Sequence, residues 1–442
     1  MLSANPSTTI INQQSKTDGS LGWFGIVRLG LVQTCIGAIV VMTTSTLNRI
    51  IVVELSLPAL IPGILVALHY FVQVIRPKMG FISDQGKRKT PWIIGGMGVL
   101  AIGGAAASLG TALLGINFIL GLIVSFVAFV MIGVGVSISG TSLLALLAKS
   151  VNDQRRAAAA TIVWLMMIFG FAITSILIGK FIDPYTPIKV VTIAGVVSII
   201  AFILTTLSLF RLEETVSEYA KSLPEAKKDH LPFKQAIAEM WKDRDIRHFT
   251  QFIFISMLAF SSQDLILEPF AGIVFNYTVG QTTSLSGLQH SGVLVGMLMV
   301  AICGSSFLRK YFGSLSFWTV YGCIASAMAM AGLCIGGYVG PSWPLKLNVF
   351  LLGVSNGAFS IAAIASMMRL AVADGAGKEG VRIGLWGGAQ AIAFGLGGLL
   401  GAVASDAARW LITDTASAYS FVFCLEAMLF VLAAKFAKNI QR

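Results

Sequence analysis

The sequence predicts an all-α membrane protein of twelve transmembrane helices in two pseudo-symmetric six-helix halves. Three observations carry this. Of the 442 residues, 56% are hydrophobic and only 12% are charged, against about 25% charged in a soluble domain. The apolar residues come in continuous runs rather than alternating, as in membrane helices and unlike a barrel. One long polar break, Arg211 to Arg247, divides those runs into two sets of six.

Taken in order by the roughly 20-residue criterion, the spans fall near 29–50, 57–76, 91–113, 118–148, 157–179, 189–210, 249–275, 286–308, 315–338, 346–371, 383–404 and 417–437. The expected organisation is a tail 1–28, a half 29–210, a linker 211–248, a half 249–437 and a tail 438–442. The polar start has no basic and apolar regions of a signal peptide, so the first span is expected to act as an uncleaved insertion signal. The fourth run is too long for one perpendicular crossing and is expected to tilt or protrude. In the linker, Pro232, Phe233, Ile237, Met240 and Trp241 recur at helical spacing. They form either a short amphipathic helix on the membrane surface or part of a plain tether.

With the N-terminus on the cytoplasmic side, the outer loops hold only Arg49, Lys180, Lys189, Lys346 and Arg409 of the 31 Lys and Arg residues. That asymmetry places both termini in the cytoplasm. It also explains the net charge of +11 as cationic loops at a lipid bilayer, with no nucleic-acid partner needed. Cys35, Cys303, Cys323, Cys334 and Cys424 all lie in apolar runs, with neither metal-ligand spacing nor a disulfide framework.

The most unusual stretch is Ser261–Ser286. It carries Gln263, Asp264 and Glu268 inside a span, where each carboxylate costs roughly 2.5–3.5 kcal/mol on insertion scales. Asp264 and Glu268 are four apart and would share one helix face. Pro269 donates no backbone N–H and its ring clashes with the Leu265 carbonyl, so a kink just below the acidic pair is expected. In the first span, Asn48, Arg49 and Glu54 are similarly out of place. If the first and seventh helices meet, Arg49 would pair with Glu268 or Asp264 across the halves; otherwise it would snorkel to the outer head groups.

His69 lies within the second span. A neutral imidazole there is either hydrogen-bonded structure or an axial ligand to a metal or magnesium porphyrin. His290 sits near the start of the eighth span and ranks below it; His230 and His248 flank the linker. Gly384/Gly388 and Gly397/Gly401 are small-xxx-small pairs that favour close helix packing. Gly95-Gly96-Met97-Gly98 lies in an apolar run with no P-loop lysine. No nucleophile elbow, metal-ligand cluster or ATP site is evident, so no enzymatic activity is expected.

The loop after the second span contains Gly80, Asp84, Gly86 and Arg88. It resembles the signature loop of the major facilitator superfamily, in which such glycines allow close approach and a tight turn and the charged pair clamps helices. The corresponding loop in the second half keeps only Arg309, Lys310 and Gly313, whereas acid-then-base loops follow both the fourth span (Asp153, Arg155, Arg156) and the tenth (Asp374, Lys378, Glu379, Arg382). Three stretches bring the chain closer to one family: Arg28–Gln33 with Thr46–Leu55, Arg76–Asp84 with Pro91–Ile93, and Gln263–Phe270 with Thr282, Thr283 and Gly292. Together these resemble the PucC, or bacteriochlorophyll delivery, family of that superfamily. The resemblance implies a photosynthetic membrane, thylakoid or cytoplasmic. It also implies photosystem or light-harvesting subunits as partners, and chlorophyll or bacteriochlorophyll as bound pigment, with His69, Gln263 and His290 as candidate contacts. Three roles stay open: a pigment-handling assembly factor, a secondary transporter of a small amphiphile coupled to protons through Asp264 or Glu268, or a non-transporting scaffold that only binds proteins.

Overall fold

A computed structural model of the protein describes residues 20–76, 88–214, 242, 244–303, 314–372 and 379–439. Among them every regular element is helical. In chain order these are α1 (Trp23–Glu54), α2 (Leu60–Ile75), α3 (Thr90–Leu114), α4 (Phe118–Ser150), α5 (Asp153–Phe181) and α6 (Pro187–Leu209). Then come α7, broken into Arg244–Asp264 and Leu267–Val274, α8 (Val279–Cys303), α9 (Leu315–Val339), α10 (Leu345–Val372), α11 (Glu379–Leu411) and α12 (Thr415–Asn439). Eleven candidate spans are long and apolar enough to cross a membrane, and α2 is a shorter apolar helix in the place of the second span. The proposed linker helix and Gly80, Asp84 and Gly86 lie outside the described residues.

Helix starts follow local capping chemistry. The Asn117 side chain accepts from Leu120 N–H ahead of α4 (3.1 Å), and Thr186 accepts from Lys189 N–H ahead of α6 (3.2 Å), with proline in the first turn. Both satisfy donors that the helix itself leaves open. Ahead of α12, hydrogen bonds from the Ser417 hydroxyl and N–H hold the Asp414 carboxyl below the usual carboxylate range. The long fourth helix is 33 residues, about 50 Å at the α-helical rise, and so overshoots a hydrocarbon core of about 30 Å. The eighth begins at 279, earlier than its hydropathy indicates, because its polar first turn is capped from outside. Thr278 accepts from Gln281 N–H (3.2 Å), and Asp183 from Gly280 N–H (2.9 Å).

Packing repeats across the halves. Within the first, α1 packs on α5 and α6, α2 on α4, and α3 on α4 and α6; within the second, α7 packs on α11 and α12, α8 on α10, and α9 on α10 and α12. The two halves meet along α5–α8 and α2–α11, which are again counterparts. Each half carries its own apolar core, one around Ile26, Leu29, Met97 and Ile132, the other around Phe252, Phe270, Phe359 and Phe430.

Glycines set the closest contacts. In α8–α10, a Cβ at Gly353 would lie 2.1 Å from the Gln289 carbonyl oxygen, and one at Gly357 2.1 Å from that of Val293. In α7–α11, Gly397 and Gly401 abut the Leu258 and Ser262 carbonyls, each 2.5 Å from an added Cβ. The expectation for Gly388 is corrected: an added Cβ there meets nothing within 4 Å, because α11 has turned that face away from a neighbour. Gly357→Leu is therefore expected to lower stability by about 1–3 kcal/mol, and Gly388→Leu to leave it nearly unchanged, as measured by thermal unfolding in detergent.

Candidate functional site

The break in α7 is built by Pro269. Its missing N–H leaves the Leu265 carbonyl without a helical donor, and the chain turns at Leu265 and Ile266. Ile266 N–H bonds back to the Gln263 carbonyl (3.1 Å), and Phe270 N–H to that of Ile266 (2.9 Å). The freed Leu265 carbonyl accepts a hydrogen bond from Asn48 Nδ2 of α1 at 2.9 Å. Two sequence expectations change here. The break falls between the acids rather than below them, and Asp264 and Glu268 do not share one continuous helix face, because the turn separates them.

Asn48 lies between two single-turn π-helical segments, Met42–Thr46 and Ile50–Glu54. The widened turns bring Ser45 and Arg49 to the opposite half. The Ser45 hydroxyl donates to Glu268 and lies 3.1 Å from the Ser286 hydroxyl of α8; Thr283 and Thr46 meet beside them at 3.5 Å. Glu268 is 2% exposed, and its second carboxylate oxygen has no partner among the described residues.

Arg49 neither pairs with an α7 acid nor snorkels. Its side chain is 3% exposed and forms an ion pair with Glu54, while Nη2 donates to the Tyr277 carbonyl at 3.0 Å. The π-turn explains the choice: it stacks Glu54, five residues on, against Arg49, so the guanidinium is neutralised within its own helix. It still reaches the other half through Tyr277 and lies against Gly272, where a Cβ would be 3.1 Å from Nη2. Nearby, in the turn between α5 and α6, burial raises the Tyr185 phenol pKa, and the Glu54 carboxylate adds to the rise.

Gln263 is fully buried, and both of its side-chain polar atoms lack partners among the described residues. Asp264 makes no hydrogen bond or ion pair among the described residues and interacts electrostatically with Tyr70 of α2 and Glu426 of α12. Glu426 is 3% exposed, and neither carboxylate oxygen meets a hydrogen-bond partner at ordinary geometry among the described residues. The sequence reading passed over it, although the cost that singles out Asp264 applies equally to an acid inside the twelfth span. His69 and His290 are both held, differently. His69 Nε2 lies 3.0 Å from Gln73 Nε2, and Gln73 accepts in turn from Arg76. His290 Nδ1 donates to the Ser286 carbonyl at 2.8 Å. In the signature loop, Arg88 reaches Glu214 at 3.8 Å, both largely exposed, a geometry that contributes little. The donors at the start of α3 go to Glu213, which accepts from Lys89 N–H (2.6 Å) and Thr90 N–H (2.9 Å).

Two further carboxylates went unrecognised in the sequence. Asp406 of α11 accepts from the N–H groups of Ala59 (3.0 Å) and Leu60 (2.8 Å) at the start of α2. Asp183, just beyond α5, accepts from Gly280 N–H and Thr278 Oγ1 at the start of α8. Each half thus supplies an acid that caps a helix of the other, at the positively polarised end.

Asn48→Ala is expected to cost about 1–3 kcal/mol by stranding the buried Leu265 carbonyl. Pro269→Ala restores a donor to that carbonyl, so the same substitution should cost clearly less in its background; additive losses in unfolding measurements would refute the coupling. Ser284 of α8 packs against Gly179 of α5, where an added Cβ would lie 2.2 Å from its hydroxyl; Asp183→Ala and Asp406→Ala together should loosen this contact and speed the modification of Ser284→Cys, in an otherwise cysteine-free chain, by a membrane-impermeant thiol reagent.

A family model described as PUCC protein matches residues 46–442. The chain is 47% identical over 421 residues to the "Bacteriochlorophyll synthase 44.5 kDa chain" of Rhodobacter capsulatus, covering 95% of this chain and 96% of that one. It is 27% identical to "Protein PucC" of the same organism, over 93% of this chain and 91% of that one. Among solved structures, a POT family transporter in complex with a thioalcohol-conjugated peptide superposes with TM-score 0.69 at 13% identity, over 95% of this chain and 97% of that one. A D-xylose–proton symporter superposes with TM-score 0.68 at 13% identity, over 93% and 96%. The break in α7, the paired halves and these likenesses agree: the chain belongs to the PUCC protein family and has the fold of the major facilitator transporters.

Proposed function

We propose that this chain is a membrane factor that binds chlorophyll or bacteriochlorophyll and hands it to light-harvesting or photosystem subunits during their assembly, without itself being an enzyme. The observation that carries this reading is the near end-to-end match, at 47% identity, to a relative named for bacteriochlorophyll. Physical features support it. Half-buried aromatic rings meet where the halves join: Tyr70 stacks on Phe394 (5.4 Å between centroids), which meets Phe260 (5.9 Å). In this reading Asn48, Arg49 and Glu268 clamp the halves 29–210 and 249–437 together, with Glu54, Gln263 and Asp264 beside them. The signature-loop residues Gly80, Asp84, Gly86 and Arg88 act on the cytoplasmic side, where both termini and the linker 211–248 also lie, in a photosynthetic membrane.

A second reading is a proton-coupled secondary transporter of a small amphiphile. The likeness to a proton symporter favours it, together with the buried, unpaired oxygens of Glu268 and Glu426. Gentle isolation from the native membrane separates the two. Chlorin absorbance and co-purifying antenna or photosystem polypeptides are expected under the first reading. Pigment-free protein that drives proton-dependent uptake in vesicles would replace it with the second.

A further inference from the structure

We infer that Nε2 of His290 is the axial ligand to the central metal of the bound chlorin; this rests on the pigment-binding role proposed above and assigns its anchoring atom. A magnesium or zinc chlorin takes one lone pair on its open face. Neutral imidazole offers a lone pair only at the ring nitrogen that carries no proton, so the tautomer decides which histidine can serve.

His69 is excluded by its partners. Arg76 donates to Gln73 Oε1, so the Gln73 amide turns its NH2 toward His69. The Nε2 atom 3.0 Å away is therefore an acceptor whose lone pair is in use. The ring is also only 1% exposed. Gln263, the third candidate, is wholly buried.

His290 has the opposite arrangement. The Ser286 carbonyl can only accept, so the proton of His290 lies on Nδ1 at 2.8 Å, and Nε2 carries the lone pair. Nε2 makes no hydrogen bond among the described residues, and the residue is half-buried. A histidine anchored through one ring N–H to a backbone carbonyl is oriented for metal ligation through the other nitrogen. His290 lies about 17 Å along α8 from its start, near the middle of a hydrocarbon core of about 30 Å. The edge-on ring of Phe171 lies 5.1 Å from its own, and Phe171, Met167 and Leu294 pack on the apolar cluster of Ile168, Val293 and Met297. The surroundings of the His290 ring are thus apolar. One turn away, the Ser286 hydroxyl joins Ser45 and through it Glu268, so polar groups stand beside the apolar cluster.

The test titrates zinc pheophorbide, and metal-free pheophorbide in parallel, into the full-length protein in nanodiscs, read by absorption and magnetic circular dichroism. Wild type and His69→Ala should both show the imidazole-ligated zinc spectrum. His290→Ala should lose that signature and at least about tenfold in affinity for the zinc form, bind the metal-free form as wild type does, and regain the signature on addition of free imidazole. An unchanged zinc spectrum in His290→Ala, or its loss in His69→Ala, overturns the assignment while leaving pigment binding intact. Failure of wild type to bind either pheophorbide overturns the pigment-binding role itself, and the assignment with it.

Discussion

A single unsatisfied carbonyl organises the junction of the two halves. Pro269 removes the donor that Leu265 would have met in an unbroken helix, and within a bilayer no water replaces it. Asn48, 217 residues earlier in the chain, supplies the hydrogen bond at 2.9 Å. That contact ties α1 to α7. Around it gather Ser45 on Glu268, Thr46 near Thr283 and Arg49 on the Tyr277 carbonyl. The π-turns of α1 on either side of Asn48 set the register that lets all four side chains face the same junction. π-bulges recur at functional sites, and two within one helix at this point fit a junction that does more than hold the halves together.

The charged groups are handled by different means according to their depth. Arg49 is neutralised by Glu54 within its own helix, which avoids stranding a cation in the membrane. Glu268 has no cationic partner within ion-pair distance among the described residues; it has a hydroxyl on one oxygen and nothing on the other. For Gln263 and Glu426, the buried side-chain polar atoms meet no hydrogen-bond partner at ordinary geometry among the described residues. Interiors rarely tolerate such atoms unless something else meets them.

The pseudo-symmetry extends to chemistry. Asp183 caps α8 and Asp406 caps α2, so each half contributes one acid to the start of a helix in the other, along the same two contacts, α5–α8 and α2–α11, by which the halves meet. A carboxylate at a helix start satisfies open N–H groups and complements the helix dipole. It achieves this without a buried cation.

By itself the sequence determined that the chain is a helical membrane protein, the order and approximate number of its helices, and the family it belongs to. It also determined that a carbonyl would be freed ahead of Pro269. These follow from hydropathy and covalent geometry, which are properties of neighbouring residues. Only the tertiary structure decided where the break falls, that Arg49 turns to Glu54 rather than to Glu268, and which residue fills the carbonyl. It alone revealed Asp183, Asp406 and Glu426 as partners of distant elements, and separated His69, whose lone pair is used, from His290, whose lone pair is open. The reason is physical. A side chain's role depends on which groups lie within about 3 Å of it, and in a twelve-helix bundle most of those groups come from helices far away along the chain.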